Sequence, residues 1–571
     1  MIKRFRTLPL LLLAAACATA PAAQMAAPPP PAASGLYSGI VSAAHPEATA
    51  AGLAILKKGG TASDAAAATM LALTVVEPQS SGIGGGGFLV YQPANGQVAT
   101  IDGREAAPMV ASPAQFLGPD GKRLGFADAA TGGRSVGVPG NIRLIAEAHK
   151  RWGKLPWAEL FAPAIALADG FTVSTRMSEF IGYGKAGLMK SPEGRALYFN
   201  ADGTPIAAGT RFANPALAAT LRKIAAEGPD AFYAGPIAAG ILAAVNTAEN
   251  NPTGMTQADL TNYRAKERAP VCGSYRTYRI CGMGPPSSGG VGVLQMLAQL
   301  ERFDMKALGK DNPVAWHLFA ESQRLAYADR DKWLGDADFV QVPVQGLTDK
   351  RYIKARGALI AADKRIAKAE AGMPRGAPPR QAANDNEVAG TTHFAVAATD
   401  GSVATYTSTV ERVFGSGLVA NGFVLNNELT DFNFDPADQG ALTANRVQPG
   451  KRPRSSMSPT IVYDSKGRVV LAVGAAGGTT IIAQVAKAVM GVVDFGLPVD
   501  QALGLPQLVA LGDRLSVEKG TFLETMIPQL KAMGHNPVAT TLPLKLNGIE
   551  QLPGGWRGGA DPRSEGKVLG Y

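Results

Sequence analysis

Cysteine, histidine and charge are scarce in this 571-residue chain, and each shortage narrows what it can do. The five histidines (45, 149, 317, 393 and 535) are scattered and show no metal-ligand spacing. The three cysteines are too few and too far apart to suggest a metal or redox centre. Charged residues make up 18% and hydrophobic residues 46%, which argues against general disorder and suits a globular core. Beyond the N-terminus no apolar run reaches the ~20 residues that a membrane helix needs. No basic run interleaves with aromatics, as nucleic-acid binding would favour. The net charge is +9, and Lys3, Arg4 and Arg6 supply three of it without any acid before residue 18. What is abundant is Gly (67) and Pro (40), so many tight turns are expected. The length suits three or four ordinary domains or one large body.

The first 17 residues read as an export signal: basic residues at 3, 4 and 6, then an apolar run from Leu8 to Ala16. Leu13-Ala14-Ala15-Ala16-Cys17 resembles a bacterial lipobox, in which cleavage before the cysteine leaves it lipidated. Plain cleavage near Ala20-Pro21-Ala22 is the alternative. Either way a periplasmic or outer-membrane-anchored product is expected. Residues 18–38 follow as a tether, rich in Ala and Pro up to Ser34 and expected to be disordered.

Cys272 and Cys281 flank an eight-residue stretch. A hairpin turning at Arg276-Thr277 makes them a non-hydrogen-bonded pair, whose Cα atoms approach to about 4.5 Å. That permits a disulfide, and an exported compartment favours one. Two reduced thiols are the alternative, since Arg-Thr is a poor two-residue turn.

From the N-terminal side, Ala48 to Lys58 reads as a helix stopped by Gly59-Gly60. Thr61 or Ser63 caps a second, Ala-rich helix to about Val76. Gly82, Gly84 and Gly87 formally match GxGxxG, but a helix precedes and a strand follows. That order is wrong for a dinucleotide site, so tight packing is the better account. A strand from Val98 to Asp102 ends at Arg104, whose planar fork suits a substrate carboxylate. The alternative is a surface Arg paired with Glu105. Residues 141–265 are mostly helical by pattern. A long helix from about Pro313 to Trp333 carries Glu321, Arg324, Asp329 and Arg330, expected on a solvated or interdomain face.

The chain is organised around Gly390-Thr391-Thr392-His393-Phe394. A loose tail, Ala369 to Asn386, precedes it, and an alternating strand follows. We read this as a self-cleavage site that makes Thr391 a new N-terminus, with a hydroxyl nucleophile and an α-amine base on one residue. Such an amine titrates near pH 7.7–8.0. The alternative is that Thr391 merely starts a surface strand. Thr399-Asp400-Gly401 is a hairpin turn. A three-residue loop with Gly401 left-handed pairs 391 with 409, whereas a two-residue loop pairs 391 with 410. The first is favoured, because it sets Thr409 opposite Thr391. Glu411, Glu428 and Asp431 follow near strand ends and suit an ammonium group. Ser455 and Ser456 lie in a basic turn and can donate to a carboxylate. Gly477 and Gly478 lead from a strand into a helix and can form an oxyanion hole. Together these residues describe a pocket for a zwitterionic amino acid.

SSGIGGGGF (80–88), GREAAP (103–108), GRSVGVPG (133–140), PPSSGG (285–290), TTHF (391–394), LNNELTDF (425–432), KRPRSSMSP (451–459) and the terminal DPRSEG and GY occur in this order. In these motifs the chain resembles the bacterial γ-glutamyltransferases (γ-glutamyltranspeptidase, glutathione hydrolase) from about Gly39 to Tyr571. The resemblance implies an α+β N-terminal-nucleophile hydrolase fold, a four-layer αββα sandwich. It implies a precursor that cuts itself between Gly390 and Thr391 into a large chain, 39–390, and a small chain, 391–571.

Carried over by motif, Thr391 is the nucleophile with Thr409 beside it. Arg104, Ser455 and Ser456 hold the glutamyl α-carboxylate. Glu411, Glu428 and Asp431 hold the α-amine, and Gly477 and Gly478 stabilise the oxyanion. The implied substrates are glutathione or another γ-glutamyl compound, with water or an amino acid or dipeptide as acceptor, and no metal or organic cofactor is needed. Many relatives carry Asn in place of Glu411, Gln in place of Glu428 and Leu in place of Arg454. The loop from Phe432 to Ser455 reads as shorter than a full lid, which favours water or larger substrates. Two other readings stay open: a glutaryl or cephalosporin acylase of the same fold, and a non-catalytic surface lipoprotein.

Overall fold

The computed structural model describes residues 35–382, 390–438 and 441–571. The export signal, Cys17, the tether up to Ser34 and the end of the tail before Gly390 lie outside the described residues. The elements that build the site follow in chain order. The first are β1 (Ile40–Ala43), α1 (Pro46–Lys57), α2 (Ala62–Val76), β2 (Gly86–Gln92), β3 (Ala99–Gly103) and α3 (Asn141–Trp152). Next are β4 (Lys266–Arg268), β5 (Val271–Tyr275), β6 (Tyr278–Gly282), α4 (Gly289–Gln299), α5 (Pro313–Trp333) and α6 (Lys350–Gly357). The C-terminal part supplies β7 (Thr391–Ala397), β8 (Val403–Thr409), β9 (Thr460–Tyr463), β10 (Val469–Ala476) and α7 (Ile481–Val493). It ends with β11 (Lys545–Leu552), β12 (Gly555–Ala560) and β13 (Lys567–Gly570).

Two antiparallel sheets stack face to face. One has the order β13-β1-β7-β8-β2-β3-β4, the other β12-β11-β10-β9-β6-β5. Helices α1, α2 and α3 cover the first sheet, and α4 and α7 cover the second, with α5 packed on α4, giving the four layers that the motif resemblance implies. Strand β7 is buried on both faces. Phe394 and Val396 join the core under the helices, while Ala395 and Ala397 join the core between the sheets. Full burial of Phe394 or Val396 contributes roughly 1.5–3 kcal/mol. The small alanines let the second sheet approach. Both sheets mix strands from either side of Gly390, so neither chain of a cut precursor would form the sandwich alone.

The local signals account for the elements. Thr61 caps α2 with a capping box: its Oγ1 accepts from Asp64 N at 3.2 Å while Asp64 Oδ2 accepts from Thr61 N at 3.0 Å. Helix α2 is buried along its whole length, which its Ala-rich, apolar surface allows. The glycines of 82–87 serve packing. A Cβ on Gly84 would lie 2.0 Å from the Val424 carbonyl oxygen, and one on Gly85 2.0 Å from that of Thr409. The cysteine hairpin turns at Arg276-Thr277, Cys272 pairs with Cys281, and the two are disulfide-bonded with Cα atoms 4.2 Å apart. Arg276 takes φ +53°, which lets this sequence make the two-residue turn.

Two expectations need correction. The polar residues of α5 do not face solvent: Glu321, Arg324, Asp329 and Arg330 are all buried. Internal partners satisfy them, which is what burial of charge requires. Arg324 pairs with Glu321 at 2.8 Å, and Asp329 accepts from Tyr352 Oη at 2.8 Å and Gly372 N at 2.8 Å. Nor does the tether continue to residue 38. Tyr37 N donates to the Trp556 carbonyl at 2.9 Å and Ser38 N to that of Tyr571 at 2.7 Å. Among the described residues no helix is long and apolar enough to cross a membrane.

Candidate active site

Thr391 opens β7 at a narrow cleft with about 10 Å³ of free volume. The β7–β8 turn has three residues, 399–401, with Gly401 at φ +89°, and the register pairs Thr391 with Thr409. Their hydroxyls are 3.2 Å apart, with Thr391 Oγ1 donating to Thr409 Oγ1. The Thr409 hydroxyl donates to the Gly390 carbonyl at 3.2 Å and accepts from Glu411 N at 2.8 Å. One hydroxyl therefore touches both the Thr391 hydroxyl and the carbonyl of the peptide bond that precedes it.

Gly390 is packed too closely for any side chain. A Cβ there would lie 2.1 Å from the Glu411 carbonyl oxygen and 2.5 Å from the Arg412 carbonyl carbon. Glu411 itself takes φ +78°, a conformation costing a non-glycine residue of order 1–3 kcal/mol. Its carboxylate accepts from Asn427 Nδ2. Asn427 also accepts from Arg412 N at 3.0 Å, so it pins the strained turn from both sides.

The charged end is a single buried cluster. Arg104 Nη1 pairs with Glu428 and Arg104 Nη2 with Asp431. The guanidinium also donates to the carbonyls of Pro453 at 3.2 Å and Arg454 at 3.0 Å. Arg104 thus pairs directly with two of the three acids. Ser455 lines the cleft with Arg104, Thr391, Thr409, Glu411, Glu428, Asp431 and Gly478. Ser456 and Gly477 are not among the lining residues. Ser456 Oγ accepts from Arg330 Nη2 at 2.8 Å, and Arg330 Nε donates to Ser288 Oγ at 2.9 Å, which ties the serine turn to α4 and α5. Gly477 and Gly478 take φ +138° and +58°. A Cβ on Gly477 would meet Gln484 Nε2 and the Pro543 carbonyl oxygen at 2.6 Å, so this turn also depends on glycine.

Several residues of the site escaped the sequence reading. Glu105 is fully buried beside Arg104 and Glu428, not on the surface. Burial raises its pKa to about 7, against the pull of the Arg104 charge. Asn445 holds the opposite wall: its Nδ2 donates to the Asp431 carbonyl at 2.6 Å and its Oδ1 accepts from Arg454 N at 2.8 Å. Met457 and Ile481 complete the lining. The only available signal for Glu105 was its place directly after Arg104 and before three apolar residues. His393 stands two residues after Thr391, on the same strand face. Its ring nitrogens lie 2.9 Å from Thr407 Oγ1 and 3.1 Å from Thr405 Oγ1. Burial alone lowers its pKa to about 3, so it is neutral.

Among the described residues no group of three or more His, Cys, Asp or Glu side chains is arranged to hold a metal ion. A four-layer αββα sandwich with a threonine opening an internal strand at a cleft defines the N-terminal-nucleophile hydrolase class. The sequence model of the gamma-glutamyltranspeptidase family matches residues 48–571, and the chain belongs to that family. It is 36% identical over 548 residues to a glutathione hydrolase proenzyme of Bacillus subtilis (strain 168), covering 93% of this chain and 91% of that protein. It is 37% identical over 509 residues to the acylase ACY 1 proenzyme of Pseudomonas sp. (strain V22), covering 88% and 87%. The crystal structure of a cephalosporin acylase from Bacillus halodurans superposes with a TM-score of 0.81 at 27% identity, covering 94% of this chain and 96% of that one.

Proposed function

We propose that this enzyme is a γ-glutamyltransferase and glutathione hydrolase that activates itself by cutting between Gly390 and Thr391. The observation that carries the reading is the contact of the Thr409 hydroxyl with both Thr391 Oγ1 and the Gly390 carbonyl. In maturation, Thr391 Oγ1 attacks the Gly390 carbonyl carbon and the Gly390–Thr391 C–N bond breaks. The resulting ester is hydrolysed, leaving a Gly390 carboxylate and a free Thr391 α-amine. In turnover that amine takes the hydroxyl proton as Oγ1 attacks the γ-amide carbon of the donor. The proton passes to the departing amine. Water or an acceptor amine then resolves the γ-glutamyl ester. Backbone N–H groups at Gly477 and Gly478 are the donors for the oxyanion.

In this reading Arg104, with Ser455 and Ser456, receives the donor's α-carboxylate, and Glu411, Glu428 and Asp431 receive its α-amine. Binding of a zwitterion exchanges the internal Arg104–Glu428 and Arg104–Asp431 pairs for pairs with the ligand. The cost of burying the charges is therefore already met within the fold. Export to the periplasm, with or without a lipid on Cys17, belongs to the same proposal.

A second reading is an amidase acting on glutaryl side chains, favoured by the likeness to acylases along most of the chain. Glutaryl groups lack the α-amine that three acids are placed to receive. Hydrolysis of γ-glutamyl-p-nitroanilide at least about 100-fold faster (kcat/KM) than glutaryl-p-nitroanilide is expected, about 2.7 kcal/mol of discrimination. The reverse preference would establish the acylase reading.

A further inference from the structure

Away from the active site, a cavity of about 380 Å³ opens between α4 and α6, beside β5. Its apolar wall is Leu294 and Ala298, one turn apart on α4, and Ile353 of α6. Arg302, Lys350 and Lys354 stand around it. Among the described residues none of these three cations has a carboxylate partner within 4 Å. The acid at the cavity, Glu301, accepts from Arg276 N at 2.8 Å. Arg302 is held in place, donating to the carbonyls of Gly357 at 3.0 Å and Ile360 at 2.9 Å.

An apolar floor with a positive rim selects for one kind of ligand. Apolar contact rewards a hydrocarbon or aromatic body, and unpaired cations reward a single negative charge. We propose that this cavity binds a small amphipathic carboxylate, its body on Leu294, Ala298 and Ile353 and its charge among Arg302, Lys350 and Lys354. Helix α4 begins at Ser288, which donates to the Ser455 carbonyl at 2.7 Å, and the cavity lies at its other end. The 11-residue helix is about 16 Å long. The proposal does not depend on the reading of the active site.

Calorimetric titration of the full chain with octanoate tests it, with octylamine as a probe of the same body and opposite charge. Saturable one-site binding of octanoate is expected, at least about tenfold tighter than octylamine and weaker at high salt. Ala298→Trp, which fills the cavity, is expected to abolish binding. The double variant Lys350→Glu/Lys354→Glu, at exposed positions, is expected to weaken it at least about tenfold with Tm unchanged. No saturable binding, equal binding of octylamine, or undiminished binding by the folded double variant would overturn the proposal.

Discussion

At one end of the cleft, Thr391 and Thr409 meet because strand register puts them opposite each other, and Gly390 is fixed by main-chain packing on Glu411 and Arg412. At the other end, Arg104, Glu428 and Asp431 meet because two segments distant in sequence, the turn after β3 and the single helical turn Glu428–Asp431, bring their side chains to one buried point. The first arrangement is specified by backbone geometry and tolerates almost no change of shape. The second is specified by ion pairing between side chains. A nucleophile needs the former, because small misplacement is costly in rate. A binding pocket needs the latter, because its pairs must open when a ligand enters.

Substitutions at the two ends have different expected effects. The largest effect is expected from Thr391→Ala: an uncut chain with activity reduced at least about 10⁴-fold, read by gel and by γ-glutamyl-p-nitroanilide assay. Gly390→Ala should come next. Its Cβ must displace the Glu411–Arg412 backbone, so the rate of self-cleavage is expected to fall at least about 100-fold, followed as a time course after rapid purification. Normal processing would mean that main-chain packing does not set this end. At the charged end, Arg104→Lys keeps the charge but loses the fork. We expect a cut, folded enzyme with KM for γ-glutamyl donors raised roughly 10–100-fold.

The smallest effect belongs to Glu105. Its folded pKa, about 7, lies above the value of 4.5 usual for the unfolded chain. The stability it contributes is therefore full below about pH 4.5 and is lost as pH rises through 7. Glu105→Gln should remove that loss, giving a Tm advantage over the parent that widens between pH 5 and pH 8. The gain is on the order of 1–3 kcal/mol at the alkaline end. A constant difference across that range would mean that Glu105 ionises without penalty.

How much of this was legible in the sequence follows the same division. The period-two pattern and the turn at Gly401 predicted β7, β8 and the pairing of Thr391 with Thr409. Glycine clusters and Thr61 likewise marked the ends of α1 and the start of α2. Backbone rules are local, so they can be read locally. The fate of buried charge cannot. Glu321, Arg324, Asp329 and Arg330 look like a solvated helix face, because their partners lie as far away as Ser456, Asp513 and Gly372. Glu105 looks like a surface partner of its neighbour for the same reason. Ser456 Oγ accepts from Arg330, 126 residues away, a contact set by tertiary packing.

The central claim is that Thr391 becomes a chain terminus, and intact mass with N-terminal sequencing of the purified protein tests it most directly. The account predicts two chains, the smaller one running from Thr391 to Tyr571 and beginning Thr-Thr-His-Phe. A single uncut chain that hydrolyses γ-glutamyl-p-nitroanilide would contradict it.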